Sequence, residues 1–398
     1  MMDRTEKIET KIIHTGRDPE SFGGSVNPPV YHFSTVLYKR VDELVSRYDN
    51  ITPDSRVMTY GTKGSPTSFS LEDAVAELEG GFRSISFPSG LAAVAGALFA
   101  FLKSGDHLLM TDSVYYPTRE FCASVLKRFG VETTYYPPCI GSEIEELIQE
   151  NTTVIYTESP GSHTFEVQDI PALSAVAHRH QAKLIMDNTW ASPIFFNPFV
   201  HGADVSIQAA TKYINGHSDA LGGAVCTNDS EWHQKMVFSQ KALGLQPSPF
   251  DCWLITRGIK TLPLRLKQQM ANAAALADQL ASHPKVNWVR YPHRTDHPQQ
   301  AVALRQMSAG GAIVTVSFNA NQEETYALCK CLRWFTMAES LGGIESLICH
   351  PATMTHAAVS ADMKAKLGID DGLVRLSVGC EDLEDLQSDL QQALRLLA

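Results

Sequence analysis

A chain of 398 residues, 44% hydrophobic and 19% charged, is long enough to bury a large core over two or three domains. Thirty-three Lys and Arg against 44 Asp and Glu give a net charge of −11, which argues against nucleic acid or an anionic membrane as a main partner. Residues 1–7 carry no apolar signal-like run, and the longest apolar stretch, residues 91–102, is too short to span a bilayer; a cytoplasmic protein is expected.

Residues 1–60 hold turn formers such as Gly23-Gly24 and Asn27-Pro28-Pro29 but little helical or strand period, which predicts an extended arm lying on another surface. Ser70-Leu71-Glu72-Asp73 reads as a capping box before an amphipathic helix that Gly80-Gly81 closes. From Arg83 onward, strand-like and helix-like runs alternate. Ile85-Ser86-Phe87 precedes an Ala-rich helix, Leu108-Leu109-Met110 a helix opened by Pro117, and residues 131–136 a helix capped by Ser142 with Glu145. Val154-Ile155-Tyr156 then precedes a helix opened by Pro171. This alternation predicts an α/β unit with a mostly parallel sheet over 61–256. Beyond it, a long helix through 271–280, strands at 286–291, 312–318 and 373–378, and helices near 323–332 and 383–397 predict a smaller α+β domain over 257–398, covering the mouth of the first.

Two runs in the middle of the chain carry chemistry. Ala182 to Met186 is an apolar run ending in Asp187, and Asp204-Val205-Ser206-Ile207-Gln208 leads through Ala209-Ala210-Thr211 to Lys212. Both side chains then stand at the mouth of a parallel sheet, where open α/β folds bind ligands. A carboxylate for a pyridinium nitrogen and a lysine for a Schiff base are what pyridoxal phosphate requires. An Asp at a strand end is also a common turn former, and a Lys after small residues is commonly solvated. The flanking small residues and Gly216-His217-Ser218-Asp219 tip the reading toward a site that a ring can approach.

Other pieces are compatible with that chemistry. Ser89-Gly90-Leu91 sits between a strand and a helix, where backbone N–H groups bind phosphate. Tyr115, past the Leu108 strand, can stack on a ring, and Arg375 in a late strand can take a carboxylate with its planar fork. His178-Arg179-His180 reads as the solvated end of a helix. The eight cysteines lack paired spacing apart from Cys329-Lys330-Cys331, so reduced core thiols and no metal are expected.

From Val26-Asn27-Pro28-Pro29 to Arg375, the chain resembles the pyridoxal-phosphate-dependent cysteine and methionine metabolism family, the trans-sulfuration enzymes. The resemblance rests on Glu77-Leu78-Glu79-Gly80-Gly81, Phe87-Pro88-Ser89-Gly90, Glu158-Ser159-Pro160, Asp187-Asn188-Thr189, Ala210-Thr211-Lys212-Tyr213 and Ser340-Leu341-Gly342-Gly343. It implies the aminotransferase-like fold, type I, with pyridoxal 5'-phosphate as cofactor and an amino acid as substrate. By the same resemblance, Lys212 holds the cofactor and shuttles protons, Asp187 pairs with the ring nitrogen, Tyr115 stacks on the ring, and Gly90, Leu91 and Thr211 bind phosphate. Arg375, helped by Ser340, takes the substrate α-carboxylate. Tyr60 resembles a tyrosine that reaches into a neighbouring subunit, which implies an obligate dimer within a tetramer.

Tyr60-Gly61, Phe69-Ser70-Leu71, Asp187 to Trp190 and Ser206 to Lys212 look most like the bacterial cystathionine β-lyases. The departures are Thr62 followed by Lys63, where the family has a phosphate-binding Arg, together with Ser162 for an Asn and Ala209 for a Ser. Glu339 resembles the γ-branch, the γ-lyases and γ-synthases, and is expected at the distal end of the substrate.

Overall fold

The computed structural model describes residues 6–49, 51–52 and 55–397; Met1 to Thr5, part of the opening stretch read above, lie outside them. The larger sheet contains β1 (Arg83–Phe87), β2 (His107–Thr111), β3 (Glu132–Tyr136), β4 (Thr152–Glu158), β5 (Lys183–Asp187), β6 (Val205–Gln208) and β7 (Gly223–Thr227) in the order β1-β7-β6-β5-β4-β2-β3. The contacts from β3 through β2, β4 and β5 to β6 are parallel. Only β7 runs the other way, antiparallel to β6 and to β1, so β1 points in the same direction as β6.

Side-chain alternation explains why these strands are apolar on both faces. Leu109, Ile155, Leu184 and Met186 enter one core, while Leu108, Met110, Val154, Ile185, Val205 and Ile207 enter the other. A parallel sheet covered on both sides by helices needs such continuous apolar runs. Gly223–Thr227 is buried throughout, yet it is five residues of small and β-branched side chains and has no period to mark it in the sequence.

The smaller sheet has the order β10-β11-β12-β9-β8, from β8 (Val286–Arg290), β9 (Ile313–Phe318), β10 (Thr336–Met337), β11 (Leu347–Cys349) and β12 (Leu373–Ser377). The long helix Leu262–Ala281 ties it to the larger unit: its first turns put Leu262 and Leu266 into the large core, and its later turns put Leu276 and Leu280 into the small one. Leu386, Leu390 and Leu394 of the last helix, Leu383–Leu394, close that second core, as their spacing predicts.

Three local expectations need correction. The start of the chain is not simply extended: it forms α1 (Ile8–His14), which buries Ile12 in the large core, and α2 (Val41–Asp49). Helix α3 (Pro66–Glu79) begins before Ser70, because Ser65 caps it in a reciprocal pair with Ser68 and Pro66 supplies a preset first turn. Asp73 is thereby freed from capping and pairs with Arg56 and, at 3.2 Å, with Arg83. Residues Gly141–Leu147 form a 3-10 turn without a side-chain cap, and Glu145 instead meets Arg179 and His180. Those two partners end the helix Ile170–Arg179, and His178 meets Asp204, so the His-Arg-His run is a helix terminus, as expected.

Candidate active site

The strand ends converge on one edge of the large sheet. β5 ends on Asp187 and β6 leads to Lys212, while Glu158 ends the neighbouring β4. The co-directional β1 delivers Ser89 to the same edge, where it caps α4 (Gly90–Phe101) by accepting the Ala92 N–H at 3.1 Å. The first-turn amides of α4 have no acceptor within the helix and present partial positive charge. A Cβ on Gly90 would stand 2.7 Å from the Ala209 Cβ, so glycine here and a small residue at 209 let the segment before the lysine sit against that helix start.

Lys212 is largely enclosed. Its Nζ donates to Ser340 Oγ at 3.1 Å. Burial first, and then the charge of Arg375, bring its pKa down to about 8, against an opposing pull from Glu339. It is therefore a nucleophile and base near neutral pH. Asp187 is 8% exposed and accepts the Thr189 N–H at 3.0 Å. Burial raises its pKa, and no Lys or Arg of the described residues pairs with it. A carboxylate held this way favours a cation brought in by a ligand.

Tyr115 is 46% exposed, and its N–H donates to Glu158 Oε2 at 2.8 Å. Burial and then the Glu158 and Glu339 charges raise its pKa, so it remains a phenol. Glu158 entered the sequence reading only as part of a motif, without a role. The structure makes it the residue that orients Tyr115, a contact across 43 positions with no local signal.

The small sheet supplies the opposite wall. Arg375 on β12 is 4% exposed, and its Nη2 donates to the carbonyls of Glu339 (2.9 Å) and Ser340 (3.3 Å). Its Nε is buried without a partner among the described residues, a donor left over for an anion. Gly342 keeps the Ser340 loop close: its N–H donates to Ser377 Oγ at 2.8 Å, and a Cβ would meet Tyr213 at 2.9 Å. Glu339 is exposed at this rim, with its charge felt by both Lys212 and Tyr115.

Two expectations change here. Gly216 has φ +70, and a Cβ would lie 1.9 Å from Arg265 Nη1, so its small size serves a turn and a buried guanidinium and not the approach of a ring. The Thr211 hydroxyl already donates to Gly222 O at 3.1 Å and accepts the Gly222 N–H at 3.0 Å, so it must rotate to donate to a phosphate.

Tyr60, Thr62 and Lys63 have no described contact with this cluster. Tyr60 is 48% exposed and bridges Thr35, while Lys63 Nζ lies 4.8 Å from the Tyr48 ring centroid. Ser162 donates its backbone N–H to Ser113 O at 3.0 Å, beside the Tyr115 segment.

Comparison with known proteins adds the following. The family model described as Cys/Met metabolism PLP-dependent enzyme matches residues 9–395. A cystathionine beta-lyase of Lactococcus lactis is 39% identical over 388 residues, 97% of this chain and 98% of the relative. A cystathionine gamma-lyase of Dictyostelium discoideum is 38% identical over 388 residues, 98% of this chain and 97% of the relative. The crystal structure of cystathionine gamma synthase from Xanthomonas oryzae superposes with a TM-score of 0.92 at 35% identity, covering 98% of each chain. Similar overall identity to relatives of three different activities leaves the reaction to be argued from the site.

Proposed function

This chain belongs to the Cys/Met metabolism PLP-dependent enzyme family, and from that premise we propose that it is a carbon–sulfur β-lyase cleaving L-cystathionine to homocysteine, pyruvate and ammonia in methionine biosynthesis. Pyridoxal 5'-phosphate, the family's cofactor, supplies when bound an electron sink for the charge left at Cα. The residues present fit it. The buried, cation-free Asp187 suits a protonated ring nitrogen, the free amides at Gly90 and Leu91 suit a phosphate, and the exposed face of Tyr115 suits stacking.

Lys212 is assigned the covalent attachment and the proton transfer. Once the substrate amine takes its place, Nζ, aimed by Ser340 Oγ, removes the Cα proton. The Cβ–S bond then breaks, homocysteine leaves with a proton on its sulfur, and the remaining three carbons take up water and depart as pyruvate and ammonia. Arg375, with its unpaired Nε, holds the α-carboxylate. The single observation that carries this reading is the lysine with pKa about 8, 3.1 Å from Ser340 Oγ on the wall that Arg375 builds. Its test is the thiol released from cystathionine: homocysteine is expected, and cysteine would mean cleavage on the other side of sulfur.

A second reading, γ-lyase or γ-synthase, is favoured by Glu339 alone. Either way we assign Glu339 to the substrate's distal ammonium. Glu339→Ala is then expected to raise KM for cystathionine about 3–10-fold while leaving KM for cysteine nearly unchanged, since a rim charge contributes modestly and cysteine has no distal ammonium. Equal effects on both substrates would remove Glu339 from that role.

We further propose a homo-oligomer, a tetramer of two dimers, in the cytoplasm, organised as an arm (1–60), a cofactor domain (61–256) and a C-terminal domain (257–398). Its support is α2, where Val41, Leu44, Val45 and Tyr48 are all exposed at helical spacing, an apolar face on which Lys63 meets the Tyr48 ring. The eight cysteines are all free thiols, five of them buried, in keeping with a reducing compartment. In such an assembly Tyr60, Thr62 and Lys63 complete the phosphate site of a second copy, with the Lys63 ammonium replacing the missing Arg. Lys63→Ala is expected to weaken cofactor retention about 10-fold, and Thr62→Arg to tighten it or leave it unchanged. Full retention of cofactor by Lys63→Ala after dialysis would exclude the compensation.

A further inference from the structure

Beneath the sheet edge that carries Asp187 lies a buried carboxyl group to which nothing above gives a task. Glu79, the last residue of α3, is 0% exposed. Its Oε1 accepts from Gln208 Nε2 at 2.6 Å, and the same nitrogen donates to the Asn188 carbonyl at 3.1 Å. Asn188 is the residue between Asp187 and Thr189, and Thr189 in turn donates its N–H to Asp187 and accepts the Ala209 N–H at 2.8 Å. Glu79 is thus tied by three links to the carboxylate that faces the cofactor.

The donors around it do not add up. Glu79 Oε2, Asn188 Oδ1 and Ser206 Oγ are all buried without a hydrogen-bond partner among the described residues, and Ser206 and Asn188 both flank the Glu79 carboxyl. The Asn188 amide spends one of its two N–H groups on Phe196 O at 3.0 Å. Among the described residues Glu79 has one neutral amide donor within hydrogen-bond distance and no cation, and a buried carboxyl placed so is favoured as the neutral acid, whose own O–H can serve an acceptor beside it.

We propose that Glu79 is a positioning residue for Asp187, held as a neutral carboxylic acid that completes the hydrogen bonding of the Asn188 segment, and that its ionisation places a second negative charge behind the ring-nitrogen site. The proton it loses goes to solvent. The charged or titratable groups that face it are Asp187 from β5 and Cys226 from β7, both of which oppose its ionisation when they are negative. Burial raises its pKa to about 7, with Gln208, Ser206 and Asn188 pulling the other way. Its protonation therefore changes around pH 7. The inference rests on Asp187 facing the cofactor as assigned above, but not on which carbon–sulfur bond is cleaved.

Infrared spectroscopy of the holoenzyme tests it directly, through the carbonyl band of a protonated carboxylic acid in wild type minus Glu79→Gln. That band is expected at about pH 6 and should be absent by about pH 8.5. Over the same range, the visible absorbance of the bound cofactor is expected to shift with pH in wild type and to lose that component in Glu79→Gln. Ser206→Ala provides a second route if Glu79→Gln fails to fold: removing a donor that favours the ionised form should move the loss of the band to higher pH. No such band at about pH 6, identical absorbance titrations in wild type and Glu79→Gln, or an unmoved band in Ser206→Ala would each overturn the proposal. None of these readouts depends on the oxo acid produced, so they fail or succeed independently of the β-lyase assignment.

Discussion

Replacing Lys212 with alanine is expected to abolish the visible absorbance of the bound cofactor and to lower turnover of cystathionine by about 10⁴-fold or more, since one change removes the residue proposed as both covalent anchor and general base. The reason lies in its surroundings. A lysine in water is almost wholly protonated at pH 7, whereas enclosure and the nearby Arg375 bring Lys212 to about 8. The sign of the pH dependence follows: in chain freed of cofactor, the rate of cofactor capture should rise with pH through about 8, as Nζ loses its proton, and then level off. A Lys212→Ala protein with unchanged spectrum and activity would remove the lysine from the chemistry altogether.

The second large effect is expected at Asp187. Removing its carboxylate in Asp187→Ala leaves the cofactor's ring nitrogen without the charge that keeps it protonated, and Cα deprotonation is expected to slow by about 10²–10³-fold. Substrate KM should change far less, because the substrate's own contacts are assigned to Arg375 and the Ser340 loop. Exchange of the Cα proton with deuterated water, followed by NMR, isolates the affected step. Exchange near the wild-type rate would return Asp187 to the ordinary role of a strand-end turn former.

Much of this site was legible because its main residues lie at ends of strands with clear apolar runs. Ala182 to Asp187 and Asp204 to Lys212 announced their strands, and the Ser89-Gly90 turn announced a helix start. Arg375 was placed correctly in a late strand. Residues that act across the fold could not be read the same way: Glu158 reaches Tyr115, and Glu79 reaches Gln208, over separations that only the tertiary structure closes. The errors have local causes. Ser70 and Asp73 satisfy a capping pattern, but Ser65 with Pro66 wins the helix start, and Asp73 pairs with Arg56 and Arg83 instead. Gly216 was assigned to ring approach on composition alone, a property that does not distinguish a ligand from the Arg265 side chain that fills the space.

The oxo acid formed from L-cystathionine tests the central claim most directly. β-Elimination needs only removal of the Cα proton, the step proposed for Lys212, and a leaving group on Cβ. γ-Elimination also needs a Cβ proton removed and the substrate held the other way round, with its distal ammonium set by Glu339. Purified holoenzyme incubated with L-cystathionine, with products separated by chromatography, is expected to yield pyruvate as the main oxo acid. A predominance of 2-oxobutyrate would contradict the β-lyase assignment and make Glu339 the residue that decides the reaction.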